Sequence, residues 1–352
     1  RVLFRSFVNF GFNYHKSKNF NRLFSMGGAL DNMSQSFQLA QEMERYGLTE
    51  SEFNDILDAK NPYTKYWNQL PVLGVMGVRT GVVDWFNDPE KNIHAPWGWN
   101  GFNNNFFSKE TGGISQYDFN VSFNIEDRVY LGATLGGYDV NYDRYTSYTE
   151  NLNADKGADN GGYTLDNYYR LEGTGMDLKL GVIVRPIESS PFRLGFAVHT
   201  PTWYDLRESY NATLSSDILA YEKPYIQTLS DFLVTPEYDY LTYDYNLTTP
   251  WKFNVSAGTT FAGAVAVGAE YEYQDYSSSK LKDVDGYELG DQLSVENYLK
   301  GVHTFRIGME TRIIPEFSIR AGYNYSSAAF LKDAYSALSL YSTRTDFNNT
   351  ES

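Results

Sequence analysis

The chain has no cysteine, which excludes disulfide staples and thiolate metal sites. It has no run of about 18 uninterrupted apolar residues, which excludes a membrane-spanning helix. Basic residues are scarce: 29 Lys and Arg stand against 44 Asp and Glu, for a net charge of −15. Nucleic acid calls for a basic stripe, so it is not an expected partner. The four histidines, His15, His94, His199 and His303, show no ligand spacing such as H-E-x-x-H, and no metal site is expected. No signal peptide is visible, and Arg1 opens directly into strand-like sequence. The chain therefore reads as an interior fragment whose processed start is missing. A negative mean hydropathy, −0.47, does not count against a membrane barrel, where only every second residue meets lipid.

What is abundant is aromatic surface, 17% of the chain with 30 Tyr and 23 Phe, and period-two alternation. The clearest stretch is 173–204. Met176, Leu178, Leu180, Val182 and Val184 alternate with Asp177, Lys179, Gly181, Ile183 and Arg185. After a turn bounded by Pro186 and Pro191, Phe192, Leu194, Phe196 and Val198 alternate with Arg193, Gly195, Ala197 and His199. One apolar and one polar face is the mark of a strand between two environments. The same rhythm recurs at 7–15, 114–142, 251–258, 265–273, 305–310 and 317–325, giving about nine recognisable strands.

The connections sort by length. Short turns are expected at 125–127, 186–191, 259–263 and 313–316. Long loops are expected at 16–112, 143–163, 205–239 (helix-like near 214–219) and 277–300. Outer-membrane barrels have short periplasmic turns and long outer loops. Twelve tyrosines near the long-loop ends, Tyr142 and Tyr169 among them, read as an interfacial girdle. Within 16–112, residues 31–47 have helical spacing with Gly47 as the stop. Thr49 to Glu52 forms a capping-box pattern. Asn61-Pro62 starts a further helix-like piece, and residues 70–86 make the most apolar run.

PFRLGFAVHTPTWYDL, LKLGVIVRP, TTPWKFNVSAG, AEYEYQDY and FRIGMETR with FSIRAGYNYS together resemble the FadL/TodX family of outer-membrane transporters. The likeness is to its branch labelled hemin receptor or aromatic-hydrocarbon transporter, and it runs from Phe7 to about Tyr325. The resemblance implies a 14-stranded barrel, plugged by an N-terminal hatch, that moves hydrophobic molecules and releases them through a gap in the wall. The family's hatch and its final aromatic-terminated strand are missing here. Two strands are expected before Arg1 and three after Ser352.

The expected fold class is all-β: a transmembrane antiparallel β-barrel, one domain over 1–352, with a partly helical extracellular insertion at 16–112. The expected function is uptake of hydrophobic small molecules such as long-chain fatty acids across the outer membrane. The alternative is a non-transporting barrel subunit of a larger outer-membrane or secretion assembly. Partners are then outer-membrane lipid and lipopolysaccharide, the ligand, and proteins of such an assembly. Lys179, Arg193, His199, Arg306 and Arg320 are the candidate lumen contacts, the cations suiting a ligand carboxylate. Leu70, Leu73, Met76, Trp85 and Phe86 are the candidate capture groove. No enzyme is expected, because His199 with Ser256 or Asn254 is the only conceivable catalytic set and its spacing supports nothing. No metal or cofactor is expected. A single histidine could hold haem iron, and Asp283-Val284-Asp285-Gly286 could suggest calcium, but a turn is the better reading of that stretch.

Overall fold

The computed structural model describes residues 6–31, 33–59, 65–66, 69–90, 93–153, 161–218, 225–228, 241–314, 316–332 and 334. The strands are β1 (Phe7–Asn19), β2 (Arg22–Ala29), β3 (Asp84–Asp88), β4 (Ile93–Trp97), β5 (Gly101–Ile125), β6 (Val129–Leu152), β7 (Gly162–Val184) and β8 (Arg193–His199). They continue as β9 (Trp203–Ser216), β10 (Tyr225–Thr228), β11 (Leu241–Thr248), β12 (Lys252–Phe261), β13 (Val265–Asp275), β14 (Lys280–Asp283), β15 (Gly301–Ile314) and β16 (Phe317–Ser326). The helices are α1 (Gln35–Arg45), α2 (Glu50–Asp58), α3 (Val72–Thr80) and α4 (Gln292–Tyr298).

One antiparallel sheet carries the chain, in the order β1-β5-β6-β7-β8-β12-β13-β15-β16. This nine-strand walk matches the alternation read from the sequence. Among the described residues the sheet is open, with β1 and β16 at its two edges. Tight turns link the meander: Glu126 and Asp127 both have positive φ (53° and 56°), as do Ala262 and Gly263 (47° and 67°). Positive φ at both central residues matches the right-handed twist of the flanking strands.

The sheet is concave on one side, because side chains of β5 and β7 meet across β6: Lys179 Nζ lies 3.0 Å from Asp118 Oδ1. Glycine at 136 makes room for this meeting, since a Cβ there would collide with Asp177 Oδ1. Asp118, Lys179, Arg193, Glu270 and Arg306 share the concave face, while Val129, Leu131, Leu194, Phe196, Val265 and Ile307 share the convex one.

Strands β5, β6 and β7 are far longer than the alternation at 114–142 and 173–184 suggests. The expected loop at 143–163 is strand up to Leu152 and again from Gly162. The expected loop at 205–239, with its helix-like part, is strand from Trp203 to Ser216. The polar, Asn- and Asp-rich composition signalled loop, but it belongs to strands standing in water. The convex row of β6 reads Val129, Leu131, Ala133, Leu135, Gly137, then Asp139, Asn141, Asp143, Tyr145, Ser147. That of β7 reads Val184, Val182, Leu180, Leu178, Met176, then Thr174, Glu172, Arg170. Both rows switch at the same level, since Gly137 pairs with Met176. The apolar part is nine residues long, the length of a transmembrane strand. Above it the wall continues as a tower of about 45 Å at about 3.3 Å per residue.

Two neighbouring strands break at the switch level. β8 continues into β9 past Pro201, and β11 into β12 past Pro250. Proline supplies no N–H to a ladder, and beside each break a threonine hydroxyl accepts a backbone N–H: Leu178 N donates to Thr200 Oγ1 at 3.0 Å, and Thr202 N to Thr249 Oγ1 at 2.8 Å. Trp203 and Trp251 stand half-exposed beside the breaks.

The insertion expected over 16–112 is narrower. Strand structure runs to Ala29 and resumes at Gly101. The described residues between 33 and 100 form a cap of α1, α2, α3 and the β3–β4 hairpin. The predicted capping box is present, with Glu52 N donating to Thr49 Oγ1 and Thr49 N to Glu52 Oε2. The Asn61-Pro62 piece lies outside the described residues. The cap sits on the concave face of the tower: Leu39, Met43, Ile56, Met76 and Val83 share one core with Phe106, Tyr148, Leu165 and Leu214 of the wall.

Two outcomes follow. Leu131→Arg should cost about 2–4 kcal/mol and Asn141→Arg, above the switch, less than about 0.5 kcal/mol, in denaturant titrations in lipid vesicles; equal costs would contradict the band. Hydrogen bonds from Lys65 (2.8 Å) and Tyr66 (2.9 Å) hold the Asp55 carboxyl below its usual 3.8. A depressed carboxyl contributes stability above its unfolded value that is lost as pH falls. The cap should therefore loosen below about pH 4, and Asp55→Asn should remove that acid sensitivity, read by hydrogen exchange in α2.

Candidate functional site

The concave face carries two layers with different chemistry. The lower one is charged, and its carboxylates and cations are paired with one another. Asp177 is buried and accepts from Tyr138 OH at 2.7 Å. Asp118 accepts from Gln116 Nε2 at 2.9 Å. Lys179 bridges both carboxylates, 3.0 Å from Asp118 and 3.6 Å from Asp177. Further round the wall, Arg306 pairs with Glu270 and, at 3.2 Å, with Glu272. Lys252 lies 3.5 Å from Glu272, and Asn254 Nδ2 donates to Glu270 and Glu272 at 3.1 and 3.0 Å. Arg320 Nε donates to Glu310 at 2.7 Å.

The five lumen candidates therefore share one face but not one role. Lys179, Arg306 and Arg320 already hold carboxylates of the protein. Arg193 lies lower, its guanidinium 5.8 Å from the Tyr130 ring centre. His199 stands half-buried between Lys179 and Lys252 on the neighbouring strands. A row of opposite charges at hydrogen-bonding distance within a wall is a rigid filling first. A ligand carboxylate would have to displace a protein carboxylate to reach three of the four cations.

The upper layer is an apolar and aromatic chamber of about 440 Å³. Ile114, Val140, Leu171, Tyr204, Leu206 and Leu247 form its walls. Phe20 and Tyr142 pack edge-on with ring centres 5.2 Å apart, and Tyr142 lies 6.0 Å from Tyr169. The floor is shared with the charged layer through Tyr138 and Tyr204, whose ring centres are 5.7 Å apart. At the rim Arg144 lies over the Tyr169 ring, and Tyr169 OH donates to Glu208 at 3.0 Å. Burial, then the nearby Glu208 charge, push the Tyr169 phenol well up, so it stays a neutral donor. Among the described residues this is a largely apolar pocket with a few polar groups at its ends, the usual form of a small-molecule site.

The chamber was not legible as a site in the sequence. Tyr142 and Tyr169 read as girdle residues, whereas they face the concave side. Tyr148 and Tyr163, also assigned to the girdle, are buried under the cap, while Tyr145 and Tyr168 do pack together on the convex side. The available signal was alternation: the concave row Tyr138, Val140, Tyr142, Arg144 continues without a break past the point where the polar composition suggested a loop.

The groove candidates are corrected. Met76 is fully buried and Leu70 nearly so, and Leu73 and Trp85 pack against the same core. Phe86 lies on β3, with its ring 5.0 Å from that of Trp97. This run is the core of the cap rather than an open groove. Exposing such side chains costs about 1.5–3 kcal/mol each. The calcium-like stretch is a turn, in which Asp283 Oδ1 accepts from the N–H groups of Asp285 and Tyr287 at 3.0 and 2.8 Å.

No family model and no curated protein matches the sequence. Three solved structures are similar to it at low identity. The CymD monoaromatic hydrocarbon channel is 13% identical over 68% of this chain and 70% of its own, with a TM-score of 0.38. The Ralstonia pickettii toluene transporter TbuX is 16% identical over 68% and 70%, with a TM-score of 0.36. The Pseudomonas putida toluene transporter TodX is 12% identical over 92% and 73%, with a TM-score of 0.38.

Proposed function

We propose that this chain forms wall and cap of an outer-membrane channel for hydrophobic small molecules. The observation that carries the proposal is the aromatic chamber, set on the concave face just above a level where the convex face turns from apolar to polar. A wall apolar outside over nine residues suits a bilayer. A pocket apolar inside at that border suits a solute that must leave water.

The lining favours an uncharged ligand over a long-chain fatty acid. The chamber is lined mainly by rings and aliphatic groups, with Glu110 and Arg144 as its charged members, and three of the four cations beneath, Lys179, Arg306 and Arg320, are occupied by Asp118, Asp177, Glu270, Glu272 and Glu310. The paired breaks at Pro201 and Pro250 support a sideways exit there, since two adjacent strands lack ladder donors at one level. The cap would govern entry from above. Lipid and lipopolysaccharide would surround the wall.

Leu206→Trp should fill the chamber without touching the ladder. In the full-length protein it should lower uptake of a labelled monoaromatic hydrocarbon about tenfold, the loss of roughly 1.4 kcal/mol of binding, with the folded yield unchanged. Wild-type uptake in a folded Leu206→Trp variant would overturn the proposal. Copurification of a stable protein partner with no uptake by the wild type would favour the subunit role.

A further inference from the structure

Glu150 lies on the concave row of β6, where the cap meets the wall, and it is fully buried. Its Oε2 accepts three hydrogen bonds: from Tyr148 OH at 2.8 Å, from Tyr163 OH at 2.6 Å, and from the backbone N–H of Gln35 at 3.1 Å. Gln35 is the first residue of α1, whose Ser34 cap hydroxyl accepts from Ser36 N. The wall carboxylate thus closes the N-terminus of a cap helix, and that end of a helix favours negative charge.

The second oxygen of Glu150 is the anomaly. Oε1 has no partner among the described residues, and neither has the side-chain Oε1 of Gln35, the residue whose backbone N–H meets Oε2. Both residues are more than nine-tenths buried. A buried acceptor with no donor is costly, and a buried carboxylate without a counter-charge more so. The two phenols cannot relieve it, because both already donate to Oε2. Burial, then the Glu150 charge, hold them well above the ordinary tyrosine range, so neither becomes a charged partner. Among the described residues no Lys, Arg or His pairs with Glu150, and the helix end supplies only partial charge. Beside Oε1 the wall has a glycine: a Cβ on Gly101 would stand 2.7 Å from both Oε1 and Leu30 Cδ1 and collide with the Met33 carbonyl, so that carbonyl and one leucine methyl face the same space.

A carboxylate oxygen, an amide oxygen and a nearby backbone carbonyl, all acceptors, are the ligand set of a hard cation. One carboxylate balances one positive charge, and a divalent ion would leave the buried knot positively charged. We propose that Glu150 Oε1 and Gln35 Oε1 bind a monovalent cation of sodium type that fastens the cap to the wall.

The test uses the full-length protein in lipid nanodiscs. Hydrogen exchange of α1 is compared in sodium chloride and in N-methylglucamine chloride at equal ionic strength and fixed pH. With sodium ten times above its dissociation constant, α1 should exchange about tenfold more slowly in sodium. Glu150→Gln and Gln35→Met should each abolish that difference. A wild type indifferent to sodium overturns the proposal, as does a sodium effect that survives in folded Glu150→Gln. Exchange that responds to pH and not to sodium also overturns it, because Oε1 then carries a proton. Should the variants not fold, thallium-soaked wild-type crystals decide: an anomalous peak between the two Oε1 atoms supports the site, and its absence refutes it.

Discussion

The structure depends on one unbroken ladder. β6 pairs with β5 and β7 over nearly its whole 24 residues, and from Asn103 to Ile125 on one side and Gly162 to Val184 on the other the register does not slip. Because side chains alternate, constant register keeps the same residues on the same face for about 80 Å. Each face can then change chemistry with height. The convex face is apolar and then polar. The concave face passes from paired charges, through the aromatic chamber, to the bed of the cap. A one-residue slip would exchange the two programmes, turning Asp139 and Glu172 into the aromatic chamber and Asp177 and Lys179 out into the apolar band.

Glycine and threonine make that ladder usable. Gly136 lets Asp118, Asp177 and Lys179 converge across three strands. At Gly112, with φ +111°, a Cβ would strike the Asn141 carbonyl, so this backbone conformation within β5 requires glycine. Beside the breaks at Pro201 and Pro250, the hydroxyls of Thr200 and Thr249 each accept a backbone N–H. The breaks fall between band and tower, where β8 and β12 give way to β9 and β11, so the interruption is local and the wall above and below it stays paired.

Much of this was legible in the sequence, and the rest failed for identifiable reasons. Alternation found all nine strands of the main path and the face of every charged candidate. The capping box at Thr49 and Glu52 marked α2, and Gly47, with φ +78°, follows the end of α1. The tower was missed because polarity was read as loop, although a strand above the membrane is polar on its outer face for the same reason a loop is. Residues 70–86 looked like a ligand groove because a single chain segment does not reveal what covers it. Phe106, Tyr148 and Leu214, distant in sequence, complete that core. The chamber likewise draws on β5, β6, β7, β9 and β11, and no local pattern brings Ile114 to Leu206 and Leu247.

The central claim is that β6 crosses from lipid to water between Gly137 and Asp139 while remaining one strand. Spin labels placed singly along its convex row, at 131, 133, 135, 139, 141 and 143, in the full-length protein in bilayers test it most directly. The account predicts high oxygen and low nickel-chelate accessibility at the first three positions, reversed at the last three, with strand-like mobility throughout. Accessibility that is uniform along the row, or that alternates between neighbouring positions of the same row, would contradict it.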